Sequence, residues 1–235
     1  MTLFLAKKNL MWYTVVNTER GFLSMVKFII VRHGFSVFNK EHRFTGQIDI
    51  PLDEIGVAQA ACNADYVLSH YKIDCIYSSD LCRAYNTVKP IADALGLPIT
   101  TSEGLRELSI GEWEGALIAE IKQTQPEALA FYRSRKPEAC TPGGETKQHL
   151  QDRLTGCMAE IAVQNDGKTV LIGSHGGAIR FLCCAWMGYS IEELDNVPTL
   201  GNASLTVVNY DPQTGKAEFE LYGYTDHLGE LATQK

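Results

Sequence analysis

The stretch Val26-Lys-Phe-Ile-Ile-Val-Arg-His-Gly34 decides the fold of this 235-residue chain. Its first six residues are nearly all apolar and rich in β-branched side chains, which is typical of a strand buried on both faces of a sheet. Two basic residues, Arg32 and His33, follow where this run ends. We therefore expect a central strand that delivers a basic pair of side chains to the carboxyl edge of a sheet.

Further apolar runs along the chain predict the rest of the sheet. Short runs at 74–77, 98–101 and 169–173 alternate with helical patterns, which indicates parallel strands joined by helices. Two last runs, 204–210 and 217–222, flank a turn and predict an antiparallel hairpin. The expected fold class is α/β, with a mostly parallel sheet that has an antiparallel edge.

Residues that begin or interrupt helices suggest how the chain is organised. Pro51 is expected to begin a long helix, and Ser79 or Asp80 to cap the next one. Residues 111–165 look mostly helical and are interrupted by proline and a glycine pair, so we expect a helical cap inserted over one side of the core. Residues 1–24 are expected to be an N-terminal extension, either a loose tail or a misplaced start. A single domain then spans 25–235.

The composition limits the classes of function. Hydrophobic residues make up 45% of the chain and charged residues 21%, as in ordinary globular proteins. The net charge of -7 opposes binding to nucleic acid and to anionic membranes, so an anion site must be a local concentration of Arg and His. The seven cysteines include no Cys-x-x-Cys pair, which indicates reduced thiols and a cytoplasmic location.

The residues that follow the predicted strands share one kind of chemistry. Ligands of open α/β sheets bind outside the carboxyl ends of the strands. The side chains expected there are basic, apart from one carboxylate: Arg32, His33, Arg83, Arg106, Glu107 and His175. Arginine binds phosphate oxygens bidentately, and a neutral imidazole is a good nucleophile near pH 7. Its second ring nitrogen needs a fixed acceptor, which a nearby backbone carbonyl would supply. The pattern therefore predicts phosphoryl transfer, with Glu107 able to protonate a leaving oxygen.

In its motifs the chain resembles the histidine phosphatase superfamily, in the branch that includes cofactor-dependent phosphoglycerate mutase and small phosphatases. The matching runs span about 25–210 in the order of the family. They are Val31-Arg-His-Gly-Phe-Ser-Val-Phe-Asn39, Arg43-Phe-Thr-Gly46, Tyr77-Ser-Ser-Asp-Leu-Cys-Arg83, Leu105-Arg-Glu107, Gly111-Glu-Trp-Glu-Gly115, Pro142-Gly-Gly-Glu-Thr146 and Ser174-His-Gly176.

The resemblance implies a three-layer α/β/α sandwich with a helical cap and assigns a role to each site residue. His33 would be the phosphorylated nucleophile, Glu107 the proton donor and acceptor, and the phosphate pocket would be completed by Arg32, Arg83 and His175. Four more positions match those that line the substrate phosphate site in the family: Asn39, Thr45, Gly46 and the backbone N–H of Gly176.

Phosphatase and mutase are the two activities that this family offers. Mutases carry a Glu-Arg-His-Tyr-Gly run and a downstream Arg-Arg pair, whereas this chain has Glu107-Leu-Ser-Ile-Gly111 and only the separated Arg133 and Arg135. We therefore favour a phosphomonoester hydrolase, with cofactor-dependent phosphoglycerate mutase as the alternative. A non-catalytic phospholigand-binding module on the same fold is the alternative from another class.

The histidine spacing suggests no metal site, and we expect no cofactor unless the protein is a mutase, which would need 2,3-bisphosphoglycerate. The expected partner is a small phosphorylated metabolite, and the chain could form a homodimer. We expect neither nucleic acid nor a membrane as a partner.

Overall fold

A computed structural model describes residues 24–232 of the chain, so the extension predicted for 1–24 lies outside the described residues except for its last one. The described part contains one sheet. Its strands are β1 (Val26–Arg32), β2 (Cys75–Ser78), β3 (Ile99–Thr101), β4 (Thr169–Ser174), β5 (Leu205–Tyr210) and β6 (Ala217–Tyr224).

The strand order across the sheet is β3-β2-β4-β1-β5-β6. Strand β1 pairs in parallel with β4, β4 with β2, and β2 with β3. Strand β5 runs antiparallel to both β1 and β6. The prediction of a mostly parallel sheet with an antiparallel edge is confirmed.

The helices of the described residues are α1 (Val37–Glu41), α2 (Glu54–His70), α3 (Cys82–Leu95), α4 (Ile118–Thr124), α5 (Pro126–Arg133), α6 (Lys147–Gln164) and α7 (Gly176–Trp186). Both predicted helix starts were wrong by a few residues. Helix α2 begins after Pro51, because the Asp53 carboxylate accepts the N–H of Gly56 at 2.9 Å and acts as the cap. Helix α3 has Leu81 as its N-cap, because Ser79 directly follows β2 and still donates its N–H to the Gly173 carbonyl of β4.

Alternating side chains of β1 enter two different cores, one on each face of the sheet. Phe28 and Ile30 pack with residues of α6 and α7, whereas Ile29 and Val31 pack with residues of α2 and α3. Each fully buried side chain of this size contributes roughly 1.5–3 kcal/mol, so the two faces together hold β1 at the centre. Helices therefore cover both faces, and the three-layer α/β/α sandwich is confirmed.

The segment between β3 and α6 forms a small separate core. Trp113, Ile121 and Leu129 are buried together, and the Trp113 indole donates to Gln125 at 2.9 Å. Helix α6 lies within the range 111–165 predicted for the cap, but its apolar side chains pack in the main core with α7. Across residues 24–232, every helix is too short or too polar to traverse a lipid bilayer.

Candidate active site

The pairing of β1 with β4 places two histidines side by side. Arg32 lies in register with Ser174, so the next residue of each strand, His33 and His175, emerges at the same edge of the sheet. The N–H of His33 donates to the Ser174 carbonyl at 2.9 Å, which continues the ladder to this point. The two imidazole rings are tilted towards each other with their centroids 5.3 Å apart. Residues far apart in the sequence thus share one site because parallel strands end together.

The His33 ring is held in one tautomer. Its Nδ1 lies 2.7 Å from the carbonyl oxygen of Gly34, which can only accept, so Nδ1 carries the proton and Nε2 keeps its lone pair. This confirms the expectation that a backbone carbonyl would orient the ring. Burial, together with the charges of Arg83 and Arg32, holds the pKa of His33 well below its ordinary value. The ring is therefore neutral near pH 7 and has a free nitrogen for attack on an electrophile.

Two buried guanidinium groups flank the histidines. Arg83, in the first turn of α3, is fully buried and donates to the carbonyls of Gly46 at 2.8 Å and Ile48 at 2.7 Å. Arg32 donates to the carbonyl of Leu200, and burial lowers its pKa to about 10, which leaves it charged near pH 7. Among the described residues, the Nε atoms of both arginines have no hydrogen-bond partner. An oxyanion beside them would supply the missing acceptors.

His175 is anchored by a residue that the sequence interpretation missed. Its Nε2 lies 2.9 Å from the hydroxyl of Ser79, while its buried Nδ1 lacks a partner within the described part of the chain. Burial and the nearby Arg83 hold the pKa of His175 well below its ordinary value, so this ring is also neutral near pH 7. We call the set Arg32, His33, Arg83 and His175 the phosphate cage.

Glu107 lies against the N-terminus of helix α7. Its Oε2 accepts the N–H of Gly177 at 3.0 Å, and its Oε1 accepts the N–H groups of Ala178 at 2.9 Å and Leu108 at 3.0 Å. A carboxylate oxygen has about two lone-pair positions. Both positions of Oε1 are therefore occupied, whereas Oε2 keeps one position open for a further hydrogen bond.

Arg153 holds the loop that carries Glu107, and the sequence interpretation missed it too. From helix α6 its guanidinium donates to the carbonyls of Gly104 at 3.0 Å, Arg106 at 3.1 Å and Glu107 at 3.4 Å. It also forms an ion pair with Glu145 at 2.9 Å. These bonds fix the backbone on both sides of Arg106, so the carboxylate of Glu107 is presented from a rigid support.

Arg106, a candidate from its position after β3, is turned away from the cage. Its guanidinium donates to Asp80 through two nitrogens and forms an ion pair with Glu103 at 3.2 Å. The pairing with Asp80 raises the pKa of Arg106 above its ordinary value. Because its donors are committed to carboxylates, it adds no free positive charge to the cage.

The residues predicted to line the substrate phosphate site lie on helix α1, on the turn at Thr45-Gly46 and at the start of α7. Asn39 uses its oxygen to accept the N–H and hydroxyl of Ser36, at 3.1 and 2.9 Å, which leaves its amide NH₂ as a donor. Gly46 follows Thr45 in a turn with a φ of +53°, and its carbonyl accepts the bond from Arg83.

Gly176 is the first residue of α7. A Cβ at this position would lie 2.8 Å from Nε of Arg32, so only glycine allows this close approach. Its N–H belongs to the first turn of the helix, where anions bind.

The signals for the missed residues differ in strength. Ser79 follows β2 directly, so its position at a strand end was a local signal for a site residue. Arg153 gave no local signal, because its partners lie in a loop about 50 residues earlier. Within residues 24–232, no group of three or more His, Cys, Asp or Glu side chains is arranged to hold a metal ion.

Comparisons with known proteins identify the family of the chain. Residues 28–221 match the family model described as histidine phosphatase superfamily (branch 1). The chain is 30% identical over 228 residues to the metal-independent phosphoserine phosphatase of Arabidopsis thaliana, with 96% of this chain and 92% of that protein covered. It is 33% identical over 207 residues to the protein named "Probable phosphoglycerate mutase GpmB" of Yersinia pestis (strain Pestoides F), with 87% and 95% covered.

A solved structure gives the same result for the fold. The native structure of a mycobacterial glucosyl-3-phosphoglycerate phosphatase matches with a TM-score of 0.76 at 27% identity. The match covers 85% of this chain and 99% of that one. Motifs, fold and full-length relatives therefore agree, and the chain belongs to the histidine phosphatase superfamily, branch 1.

Proposed function

We propose that this protein hydrolyses small phosphomonoesters through a phosphohistidine intermediate on His33. The observation that carries the proposal is the pair of neutral imidazoles, 5.3 Å apart, between two buried arginines with unpaired donors. Relatives named as phosphoserine phosphatase and glucosyl-3-phosphoglycerate phosphatase support hydrolysis as the reaction and a small phosphorylated metabolite as the substrate.

In the first step the phosphate cage binds the phosphoryl group and Nε2 of His33 attacks phosphorus. The N–P bond forms as the bond from phosphorus to the ester oxygen breaks. The departing oxygen takes a proton from Oε2 of Glu107 and leaves as an alcohol. The proton on Nδ1 of His33 stays in its bond to Gly34, which stabilises the positive charge that the phosphorylated ring acquires.

In the second step water attacks the phosphorus atom and gives its proton to the Glu107 carboxylate. The N–P bond breaks, its electron pair returns to Nε2 of His33, and inorganic phosphate leaves. Glu107 is then protonated again and ready for the next ester. His175 would contact the transferring oxygens, because its Nδ1 is buried beside the cage and without a partner among the described residues.

Groups around the cage complete the phosphate site in this proposal. The amide NH₂ of Asn39, the Thr45-Gly46 turn and the N–H of Gly176 would donate to the outer phosphate oxygens. The bond between Arg83 and Gly46 and the close approach of Arg32 to Gly176 support this role for the two glycine positions. No metal or other cofactor takes part, in keeping with the relative named as metal-independent.

Hydrolysis of p-nitrophenyl phosphate in the presence of EDTA tests the proposal. We expect turnover by the natural protein and a loss of roughly 10⁴-fold or more in His33→Ala, since removing a nucleophile disables the whole mechanism. His70→Ala, at an exposed histidine at the end of α2, is the matched control and should be unaffected.

Trapping the intermediate gives a second readout. Labelled substrate should leave an acid-labile, base-stable phosphate on His33, and a label on any other residue would contradict the assignment. Ligand binding without turnover on a broad panel of phosphomonoesters would favour the non-catalytic module instead.

Phosphoglycerate mutase activity is the second candidate, favoured by the likeness to a protein that is named as one. The two activities share the first step and differ in whether water or a second hydroxyl accepts the phosphoryl group. Conversion of 3- to 2-phosphoglycerate should therefore be measured with and without 2,3-bisphosphoglycerate. Robust isomerisation that depends on this cofactor would replace hydrolysis as the main activity.

We infer a cytoplasmic location, supported by the seven cysteines, all of which are unpaired. The acidic net charge supports the expectation that neither nucleic acid nor an anionic membrane is a partner. A homodimer stays a prediction, which light scattering of the purified protein would check.

A further inference from the structure

The peptide that joins Gly34 to Phe35 makes a hydrogen bond at each end. Its carbonyl oxygen lies 2.7 Å from Nδ1 of His33, and its N–H donates to Oε1 of Gln59 at 2.7 Å. This peptide is trans and therefore planar, so its C=O and its N–H point in opposite directions. The bond to Gln59 thus sets the direction in which the carbonyl faces the nucleophile.

Gly34 gives this peptide freedom that another contact must remove. A Cβ at Gly34 would lie 2.7 Å from the carbonyl oxygen of Gly56, so glycine is needed where the chain packs against the start of α2. Glycine has more backbone freedom than any other residue. The N–H of Gly34 donates to the hydroxyl of Thr87 at 2.9 Å, but this bond holds the preceding peptide.

Asn202 is a weaker support for the Gly34 carbonyl. Its Nδ2 lies 3.4 Å from this oxygen and equally far from the carbonyl oxygen of His33, so both bonds are long. The short bond between Phe35 and Gln59 therefore directs the peptide most firmly.

Gln59 is fully buried in the second turn of α2, although glutamine is mostly an exposed residue. Both ends of its amide bond to the backbone of other segments. The oxygen accepts from Phe35, and Nε2 donates to the carbonyl of Leu231 at 2.8 Å. The side chain is therefore fixed at both ends, as a buried amide requires.

Residues Asp226–Leu231, which we call the C-terminal segment, provide the far end of this contact. Asn63 lies four residues after Gln59 on the same face of α2 and is also fully buried. Its Oδ1 lies 2.6 Å from Nε2 of His227. Two buried polar side chains of one helix thus hold the C-terminal segment, so the Leu231 carbonyl is a fixed acceptor for Gln59.

The bonds form one chain from Nδ1 of His33 through the Gly34–Phe35 peptide and the Gln59 amide to Leu231. In each bond the donor is on the side of His33 and the acceptor on the side of Leu231. Aligned hydrogen bonds polarise one another. A positive charge on the His33 ring would therefore draw electron density along the chain and be stabilised by it.

From these contacts we propose that Gln59 is a positioning residue for phosphoryl transfer by His33. A neutral imidazole can carry its proton on either nitrogen, and the bond made by one nitrogen decides which. By directing the Gly34 carbonyl at Nδ1, Gln59 keeps the proton there and leaves Nε2 free for attack. This inference rests on the proposed function, because it assigns Gln59 a part in preparing the nucleophile of that reaction.

Nitrogen NMR of protein that contains isotopically labelled histidine tests the inference. The chemical shift distinguishes a protonated ring nitrogen from an unprotonated one, and the signals of His33 are those that His33→Ala lacks. In the natural protein at neutral pH, Nε2 of His33 should be unprotonated. In Gln59→Met, which keeps the length of the side chain but loses both bonds, we expect a measurable fraction with the proton on Nε2.

The same variant should also turn over more slowly. We expect kcat to fall about tenfold and KM to change little, similar to the loss when a group that orients a metal-ligating histidine is removed. Gln59→Glu keeps an oxygen acceptor for Phe35 and should retain the Nδ1–H form of His33.

Gln151→Met is the matched control. Gln151 lies on α6 and donates to the carbonyl of Phe181 at 3.0 Å, so this variant loses a similar bond outside the chain that ends at His33. Its tautomer of His33 and its kcat should equal those of the natural protein.

Vanadate binding to the natural protein gives a readout that needs no variant. When vanadate occupies the phosphate cage, the backbone N–H signal of Phe35 and the side-chain NH₂ signals of Gln59 should shift. Those of the Gln151 side chain should stay in place.

An unchanged tautomer or an unchanged kcat in folded Gln59→Met protein would overturn the inference. If this variant does not fold, unchanged Gln59 signals on vanadate binding would overturn it. Absent turnover by the natural protein would instead overturn the proposed function, because the tautomer is measured without turnover.

Discussion

The phosphate cage and the cations around Lys147, which are Arg135 and Arg180, both concentrate positive charge, but they are built differently. The cage comes from strand ends, and its arginines are tied to the carbonyls of Gly46, Ile48 and Leu200 deep in the protein. The second group lies in the middle of α7, at the start of α6 and after the end of α5, with Arg135 partly exposed and its partner Asp195 largely exposed. In the proposed function, the groups that perform the chemistry all lie in the first region, where the sheet fixes them. Substitutions should therefore have large effects on turnover in the first region and small effects in the second.

The sharpest test of the cage is Arg83→Gln. The variant removes a fully buried charge that no other described cation replaces at the Gly46 and Ile48 carbonyls, so we expect kcat to fall by about 10²–10³-fold. Inhibition by vanadate or inorganic phosphate should weaken in parallel. Arg106→Gln is the matched control, because Arg106 pairs with Asp80 and Glu103, and it should cost far less. An equal fall in kcat in the two variants would show that Arg83 contributes no more to catalysis than Arg106, which lies outside the cage.

Glu107→Gln should have an effect that depends on the leaving group. General acid catalysis contributes roughly 10²–10⁴-fold when the leaving oxygen is a poor one, and far less when it is an activated phenolate. We expect kcat/KM to fall at least about 10²-fold for an alkyl phosphate such as phosphoserine. The loss for p-nitrophenyl phosphate should be smaller. Identical losses on both substrates would show that Glu107 is not the acid.

The smallest expected effect is on the pH dependence of kcat/KM. The pKa of His33 is held well below its ordinary value of 6.5, so His33 stays neutral when the pH falls to 6.5. The decrease in kcat/KM that follows protonation of His33 should therefore occur below pH 6.5.

Much of the fold and of the cage could be predicted from the sequence because the relevant signals are local. The continuous apolar run in β1 predicts burial on both faces, and parallel strands must end at a common edge. That geometry alone brings His33 next to His175 although 142 residues separate them. Arg106 occupies the same kind of position, yet it pairs with Asp80 instead, because a local carboxylate competes for its donors.

The helix starts and the grouping of cations around Lys147 were harder to predict. Pro51 is a good first helical residue, but the Asp53 carboxylate accepts the N–H of Gly56, so α2 begins after Asp53. Lys147 did leave a signal, since it shares the three- and four-residue spacing of Leu150, Leu154 and Met158 on the apolar face of α6. Nothing local indicated that Arg135 and Arg180 would lie beside it.

By itself, the sequence determined the α/β class, the strand ends that carry the cage, and membership of the histidine phosphatase superfamily. These follow from short-range patterns, in which hydrophobic periodicity and the residue after each strand carry the information. Only the tertiary structure decided which nitrogen of His33 is free, which oxygen of Glu107 keeps an open lone-pair position, and which cations lie around Lys147. Those features depend on contacts between segments tens of residues apart, and such contacts exist only once the sheet and its helices have packed.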